Sequence, residues 1–167
     1  AGWLGAVRIG GGLYGFDPLR GQGAGRLRPV LALKAALAGL RGAAAGEPVG
    51  YGGAFVCRRP SRLALLPLGY ADGLSRSLWQ GAAVLVRGHR APIVGLVSMN
   101  QTIVDVTDVP EARLGDEIVL LGAQGQDCIR AEERVPPGGS TYEVTAVLRR
   151  DLPRRYVGVD GGMVGRR

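Results

Sequence analysis

The stretch AAVLVRGHRAPIVGLVSMNQTIVDVTDV, residues 82–109, decides the fold. AAVLVRG and RAPIVGLVSM are apolar runs broken by Gly88-His89, which reads as a hairpin with those two residues in its turn. QTIVDVTDV then alternates apolar and polar residues with the period of a half-buried strand. Working outward, YGGAFVC (51–57) and RLALLPLGY (62–70) read as strands separated by the charged turn Arg58-Arg59-Pro60-Ser61. Leu114-Gly115-Asp116-Glu117 turns the chain again before IVLLG (118–122). PVLALKAAL (29–37) fits a strand or a short helix by periodicity alone. Past position 40 the one helical candidate is AEERV (131–135), stopped by Pro136-Pro137-Gly138-Gly139. The expected fold is mainly β, an antiparallel sheet that closes or sandwiches on itself, over residues 26–157. GVDGGMVGRR (158–167) reads as an unstructured tail.

The chain has 167 residues, of which 46% are hydrophobic and 5% aromatic, so the core must be built from aliphatic side chains. Its net charge is +7, and Lys34 is the only lysine beside 20 arginines. The arginines are scattered rather than interleaved with aromatics, which weakens a nucleic-acid reading. Cys57 and Cys128 stand far apart without a histidine cluster, which predicts neither a metal site nor a disulfide framework and points to a reducing, cytoplasmic setting. No apolar run approaches 18 residues, so no membrane association is expected. Ala1-Gly2-Trp3 opens directly into strand-like sequence, which reads as a chain cut from something longer.

VRIGGGLYG (7–15) places Gly10, Gly12 and Gly15 at G-x-G-x-x-G spacing. A dinucleotide fingerprint also needs a helix leaving the loop and an acidic residue about 20 positions on. Here Phe16-Asp17-Pro18 and a glycine-rich run follow, and the region around Lys34 has no carboxylate. Two readings remain: a glycine-rich turn, or backbone N–H groups offered to one phosphate of a different cofactor. Residues 1–25 look like the last strand and phosphate loop of a parallel α/β barrel.

His89 is the sole histidine and stands at a hairpin tip, so histidine general-base chemistry is set aside. Asp72, Asp105, Asp108 and Asp116 follow turn or alternating-strand logic and read as solvated. Three tyrosines remain: Tyr51 in VGYGGAF, Tyr70 in LGYADGLSR and Tyr142 in STYEV. Glycines beside Tyr51 and Tyr70 let either a neighbouring backbone or a substrate approach a phenol closely, and a phenol can act as a base if its surroundings lower its pKa.

The order and spacing of VGYGGAF, PLGYADGLSR, APIVGLVSMNQTIVDVTDV, GDEIVLLG, TYEV and RRDLPRRYV resemble the C-terminal half of alanine racemase. The leading VRIGGGLYG is similar to the last barrel strand of that family. The resemblance spans about residues 6–157. It implies a pyridoxal 5'-phosphate enzyme that interconverts L- and D-alanine by two-base α-proton transfer, for D-alanine supply to cell-wall precursors, as a cytoplasmic head-to-tail homodimer. A lysine of the barrel carries the cofactor, and a tyrosine from the partner subunit is the second base.

By motif, the resemblance makes Tyr51 that catalytic tyrosine. It puts Tyr70 on the path by which substrate enters, and the Met99 N–H, with Asn100 beside it, at the substrate carboxylate. It assigns Tyr142, Gly10 and Gly11 to the cofactor phosphate and Arg8 to the pyridine nitrogen. The barrel with its lysine is absent, so the chain alone is expected to be inactive unless a second barrel half complements it. Lys34 lies in a segment that leads away from the cofactor. Asn100 stands where the family has Asp, and a Pro-Gly link replaces the helix before the tyrosine motif. Two alternatives stay open: a solitary β domain that binds a partner or nucleic acid through its arginines, and a racemase for another small amino acid such as serine.

Overall fold

The computed structural model describes residues 10–16, 27–158 and 162–166. Its strands are β1 (Leu33–Ala36), β2 (Gly39–Ala43), β3 (Pro48–Val49), β4 (Phe55–Val56), β5 (Ser61–Leu66) and β6 (Ala83–Val86). They continue with β7 (His89–Pro92), β8 (Thr102–Asp105), β9 (Glu117–Gln124), β10 (Asp127–Ile129), β11 (Arg155–Val157) and β12 (Met163–Arg166). One short helix, α1, covers Thr141–Ala146. The fold is mainly antiparallel β, as expected.

One sheet runs β1-β9-β6-β7 with β10 added on β9, and a second runs β2-β5-β8. The two sheets bury their facing side chains together: Ala64 and Leu66 of β5 and Val104 of β8 meet Val84, Val86, Ile118 and Leu120. Strands β6 and β9 are buried on both faces, because Leu85 and Val119 turn away from that core and pack with Ile129 of β10. This is why AVLV and EIVLLG read as continuous apolar runs rather than alternating ones. A smaller cluster of Val49, Cys57, Leu63 and Val94 fills the other side of β5, under the β3-β4 hairpin.

Four local expectations are corrected, and one left open is decided. The β6-β7 turn is Arg87-Gly88, both at positive φ (52° and 81°), and His89 is the first residue of β7, paired with Val86. Two positive φ values make a primed turn, whose twist matches that of the strands it joins. The strands expected over 51–57 and 62–70 shorten to β4 and β5, because Tyr51–Gly53 and Tyr70–Asp72 coil into 3-10 turns. AEERV makes a single 3-10 turn, Ala131–Arg134, and the regular helix lies at α1, beyond the Pro-Gly link. PVLALKAAL supplies strand β1, not a helix, through its pairing with β9. The expected tail contributes β12, which pairs with β11. The barrel strand and Arg8 lie outside the described residues.

Strand register brings the candidate turns to one end of the second sheet. Leu66 pairs with Thr102, so the turn after β5 that carries Tyr70 lies beside the residues before β8, Met99 and Asn100. The bridge between Ile93 and Val104 and the bond from the Val94 N–H to the Ile103 carbonyl (2.9 Å) fix the segment after β7 against the same strand.

Candidate functional site

Segment 95–101 is a common wall for two tyrosine turns. On one side it meets the loop of the β3-β4 hairpin. A Cβ on Gly95 would stand 2.8 Å from the Val49 carbonyl, and one on Gly50 would stand 3.3 Å from the Leu96 nitrogen. Both glycines also hold positive φ, 70° and 75°. Only bare backbone closes this seam, and Tyr51 follows it directly, 66% exposed.

On the other side the wall meets the Tyr70 turn through two backbone bonds. The Tyr70 N–H donates to the Ser98 carbonyl and the Ala71 N–H to the Met99 carbonyl, each at 2.9 Å. A Cβ on Gly69 would overlap both of those carbonyls. The Thr102 hydroxyl donates to the Leu68 carbonyl at 2.7 Å, beneath the same turn. The Ser98 N–H donates to the Gln101 carbonyl, which turns Met99 and Asn100 outward at a tip. The Met99 carbonyl is therefore engaged, while no described group accepts its N–H. A free main-chain donor beside exposed phenols is what an anionic ligand group requires.

Asp72, read from sequence as solvated, is instead 5% exposed. One of its oxygens accepts the Gly69 N–H at 2.9 Å and closes the Tyr70 turn. The other lies 3.2 Å from an Arg149 Nη1. Gly73, at φ 103°, packs against Val147, where a Cβ would stand 2.5 Å from the carbonyl. The turn is thus fastened to the C-terminal end of α1. The Asp72 spacing, three residues after a glycine that opens a turn, was the sequence signal for this role. Arg76 was also missed; its guanidinium carbon lies 5.9 Å from the centre of the Tyr70 ring, within cation–π range.

Tyr142 stands in the first turn of α1, whose start is set by Ser140 and by Glu143, an oxygen of which accepts the Ser140 N–H at 2.9 Å. Its hydroxyl accepts the Gly11 N–H at 3.1 Å, across 131 residues of chain. The ring stands edge-on to Phe16, centroids 6.1 Å apart. Phe16 is buried, and its N–H donates to the Gly11 carbonyl at 3.1 Å, which curls the glycine loop back on itself. A Cβ on Gly10 or Gly11 would come within 3.3 or 3.0 Å of the Tyr142 hydroxyl oxygen. Bare backbone and a phenol therefore form one small polar cradle. Of the two expected phosphate donors, the Gly11 N–H is taken by Tyr142, whose own O–H remains free to donate.

Tyr51, Tyr70, Met99 and Asn100 are thus assembled about one wall, and Gly10, Gly11 and Tyr142 about another point. Lys34 does neither: both oxygens of Glu117 take its ammonium, at 3.0 and 3.1 Å, on an exposed strand pair. Among the arginines, Arg41, Arg59, Arg87, Arg90 and Arg149 each meet a carboxylate. Among the described residues, no group of three or more His, Cys, Asp or Glu side chains could hold a metal ion, and no helix is long and apolar enough to cross a membrane.

Residues 30–156 match the family described as alanine racemase, C-terminal domain. The alanine racemase of Sorangium cellulosum is 47% identical over 158 residues, which cover 92% of this chain and 41% of that protein. The crystal structure of alanine racemase from Bacillus anthracis with bound L-Ala-P superposes with a TM-score of 0.83 at 31% identity, over 93% of this chain and 40% of that one. The alanine racemase of Bartonella henselae, solved with covalently bound pyridoxal phosphate, gives 0.73 at 37% identity, over 83% and 38%. The chain spans about two fifths of the length of these relatives.

Proposed function

The chain belongs to the alanine racemase C-terminal domain family, and we propose that it is the C-terminal portion of a pyridoxal-phosphate-dependent alanine racemase that contributes Tyr51 to a composite site. The observation that carries the proposal is the 3.1 Å bond between the Tyr142 hydroxyl and the Gly11 N–H, which joins the two elements expected at a phosphate. The residues fit that group: glycines without Cβ leave backbone open beside a phenol whose proton is free.

In this reading the cofactor, when bound, supplies the electron sink that makes the α-proton of the amino acid removable. The Tyr142 O–H and the Gly10 N–H would hold its phosphate. Arg8, outside the described residues, would be the partner of its ring nitrogen, with a guanidinium that would not give up a proton to it. The Met99 N–H holds the substrate carboxylate, with Asn100 shaping the same tip. Tyr51 takes or returns the α-proton on one face of the substrate, while the barrel lysine serves the other face. Tyr70, held by Asp72 and by the 95–101 wall, borders the path to that proton. The glycine loop and Tyr142 serve the subunit to which they belong, and Tyr51 serves the partner in a cytoplasmic homodimer. Residues 1–25, of which 1–9 and 17–25 lie outside the described residues, would belong to the end of the barrel.

The test is α-proton exchange of L- and D-alanine in deuterated water with added pyridoxal phosphate, using this chain mixed with a racemase barrel half. Exchange should need both parts. Tyr51→Phe should suppress exchange of one enantiomer and spare the other. Equal rates for both enantiomers in that variant would remove Tyr51 from the proposed role.

A further inference from the structure

A cavity of about 310 Å³ lies between the Tyr70 turn, strand β9 and α1. Its walls are apolar: Leu74 and Leu78 on one side, Leu120 and Leu121 on a second, Val144 and Val147 on a third. The chain between Arg134 and α1 is a Pro-Gly link, of which Pro136 lines the space. Its size is at the lower end of the roughly 300–1,000 Å³ found for small-molecule sites.

One charged group lines this space from within the core. Arg134 is 7% exposed. Its Nε donates to the Leu120 carbonyl at 2.8 Å, and its Nη2 donates to the Ala83 carbonyl. The adjacent carboxylate, Glu133, is occupied by Arg90 at 2.6 Å and by the Arg130 N–H at 2.8 Å. No described residue accepts from the Arg134 Nη1, yet that atom is not sealed away from solvent-sized space. Burial pushes the Arg134 pKa down to about 10, so the protein holds this cation at a cost. Glu143 stands exposed at the rim, one oxygen on the Ser140 N–H.

We propose that this cavity binds a small carboxylate with an apolar body, the carboxylate on Arg134 and the body against Leu74, Leu78, Leu120 and Val144. An anion there completes the hydrogen bonding of a guanidinium that is more than nine-tenths buried, and the aliphatic walls accept the body. Free alanine does not fit this chemistry, because its ammonium would be desolvated among leucines and valines. The site is therefore independent of the proposed racemase reaction and stands or falls without it.

Equilibrium dialysis of labelled octanoate against this chain at neutral pH tests the assignment. Octanoate should bind one to one, and octanol should compete at least tenfold more weakly, as expected for loss of a charge-assisted hydrogen bond. Arg134→Met should weaken octanoate binding at least tenfold, and Val144→Phe, which fills the space and leaves the charge, should abolish it. Folding of each variant is checked by circular dichroism, and if Arg134→Met does not fold, Val144→Phe decides. Absence of binding to the unaltered chain overturns the proposal. So does undiminished binding in Val144→Phe, or octanol that competes as well as octanoate.

Discussion

Replacing Asp72 with Ala removes the side chain that closes the Tyr70 turn. The lost bond, from the Gly69 N–H at 2.9 Å, is buried and has a charged acceptor. Bonds of that kind contribute about 1.5–3 kcal/mol, and a stranded donor adds its own desolvation cost. The second partner counts for less. Arg149 is 45% exposed, so solvent screening limits the pair at 3.2 Å to about 1 kcal/mol or below. The expected loss is about 2–3 kcal/mol, most of it through Gly69. For a domain of this size each kcal/mol lowers Tm by about 2–4 °C, so the midpoint should fall by about 4–12 °C in thermal melts followed by circular dichroism. Urea titration should show a lower midpoint at unchanged slope. Arg149→Ala alone should cost under about 1 kcal/mol, and almost nothing once Asp72 is already Ala. Asp72→Asn, which keeps an acceptor for Gly69, should fall between wild type and Asp72→Ala. An Asp72→Ala variant within about 0.5 kcal/mol of wild type would refute the reasoning. An Arg149→Ala variant as damaging as Asp72→Ala would do so too, because the ion pair would then dominate.

Three further outcomes are expected. Gly69→Ala should be among the costliest single changes, about 3 kcal/mol or more by urea unfolding, because its Cβ overlaps the Ser98 and Met99 carbonyls; near-wild-type stability would mean that the seam is loose. Tyr142→Phe keeps the edge contact with Phe16 and loses the Gly11 acceptor, so amide exchange at Gly11 should speed up at a stability cost of about 1 kcal/mol, and an unchanged Gly11 rate would show that the hydroxyl does not hold the loop. Arg90 holds the Asp127 carboxyl below its ordinary pKa by a side-chain hydrogen bond, and it counters the burial that would raise Glu133, whose pKa is also lowered. The stability these carboxylates add is present above their unfolded pKa values near 4 and is lost as pH falls through the lower folded values. Arg90→Gln should therefore lower the urea midpoint at pH 7 and match wild type near pH 2, and a deficit equal at both would point to lost packing instead.

The strands were legible wherever pairing and side-chain period agree. QTIVDV alternates because Thr102, Val104 and Val106 are buried while Gln101, Ile103 and Asp105 between them stay partly or fully exposed, and the Arg87-Gly88 turn lies one residue from its expected place. Other elements left little local signal. Helix α1 has six residues, too short for a 3.6-residue period to emerge, and its TYEVTA carries two threonines and a valine that favour strands. Strand β12, MVGR, contains a glycine and is specified by pairing with β11 rather than by its own residues. The spacing of Asp72 after Gly69 signals that it closes the turn, but its burial at the seam between two distant segments is not a local property.

What the candidate site owes to the fold is clearest in the 95–101 segment and α1. The first is held between two tyrosine turns by glycine seams and backbone bonds, so one segment sets the places of Tyr51, Tyr70 and the Met99 N–H. The second carries Tyr142 in its first turn and meets Gly73 and Asp72 at its far end. One continuous set of contacts therefore runs from the Gly11 loop through α1 to the Tyr70 turn and on to Met99. If the glycine loop and the Tyr51 turn serve different subunits, as proposed, this short helix fixes the distance between two active sites of one dimer. A loosened Asp72 contact would then lower the affinity for substrate before it affected the hold of Tyr142 on the glycine loop, because the break falls on the Tyr70 side of α1. In the complemented enzyme, Asp72→Asn should raise KM for alanine with the Gly11 exchange rate unchanged, and a Gly11 rate that rose with KM would show that the helix does not insulate the two ends.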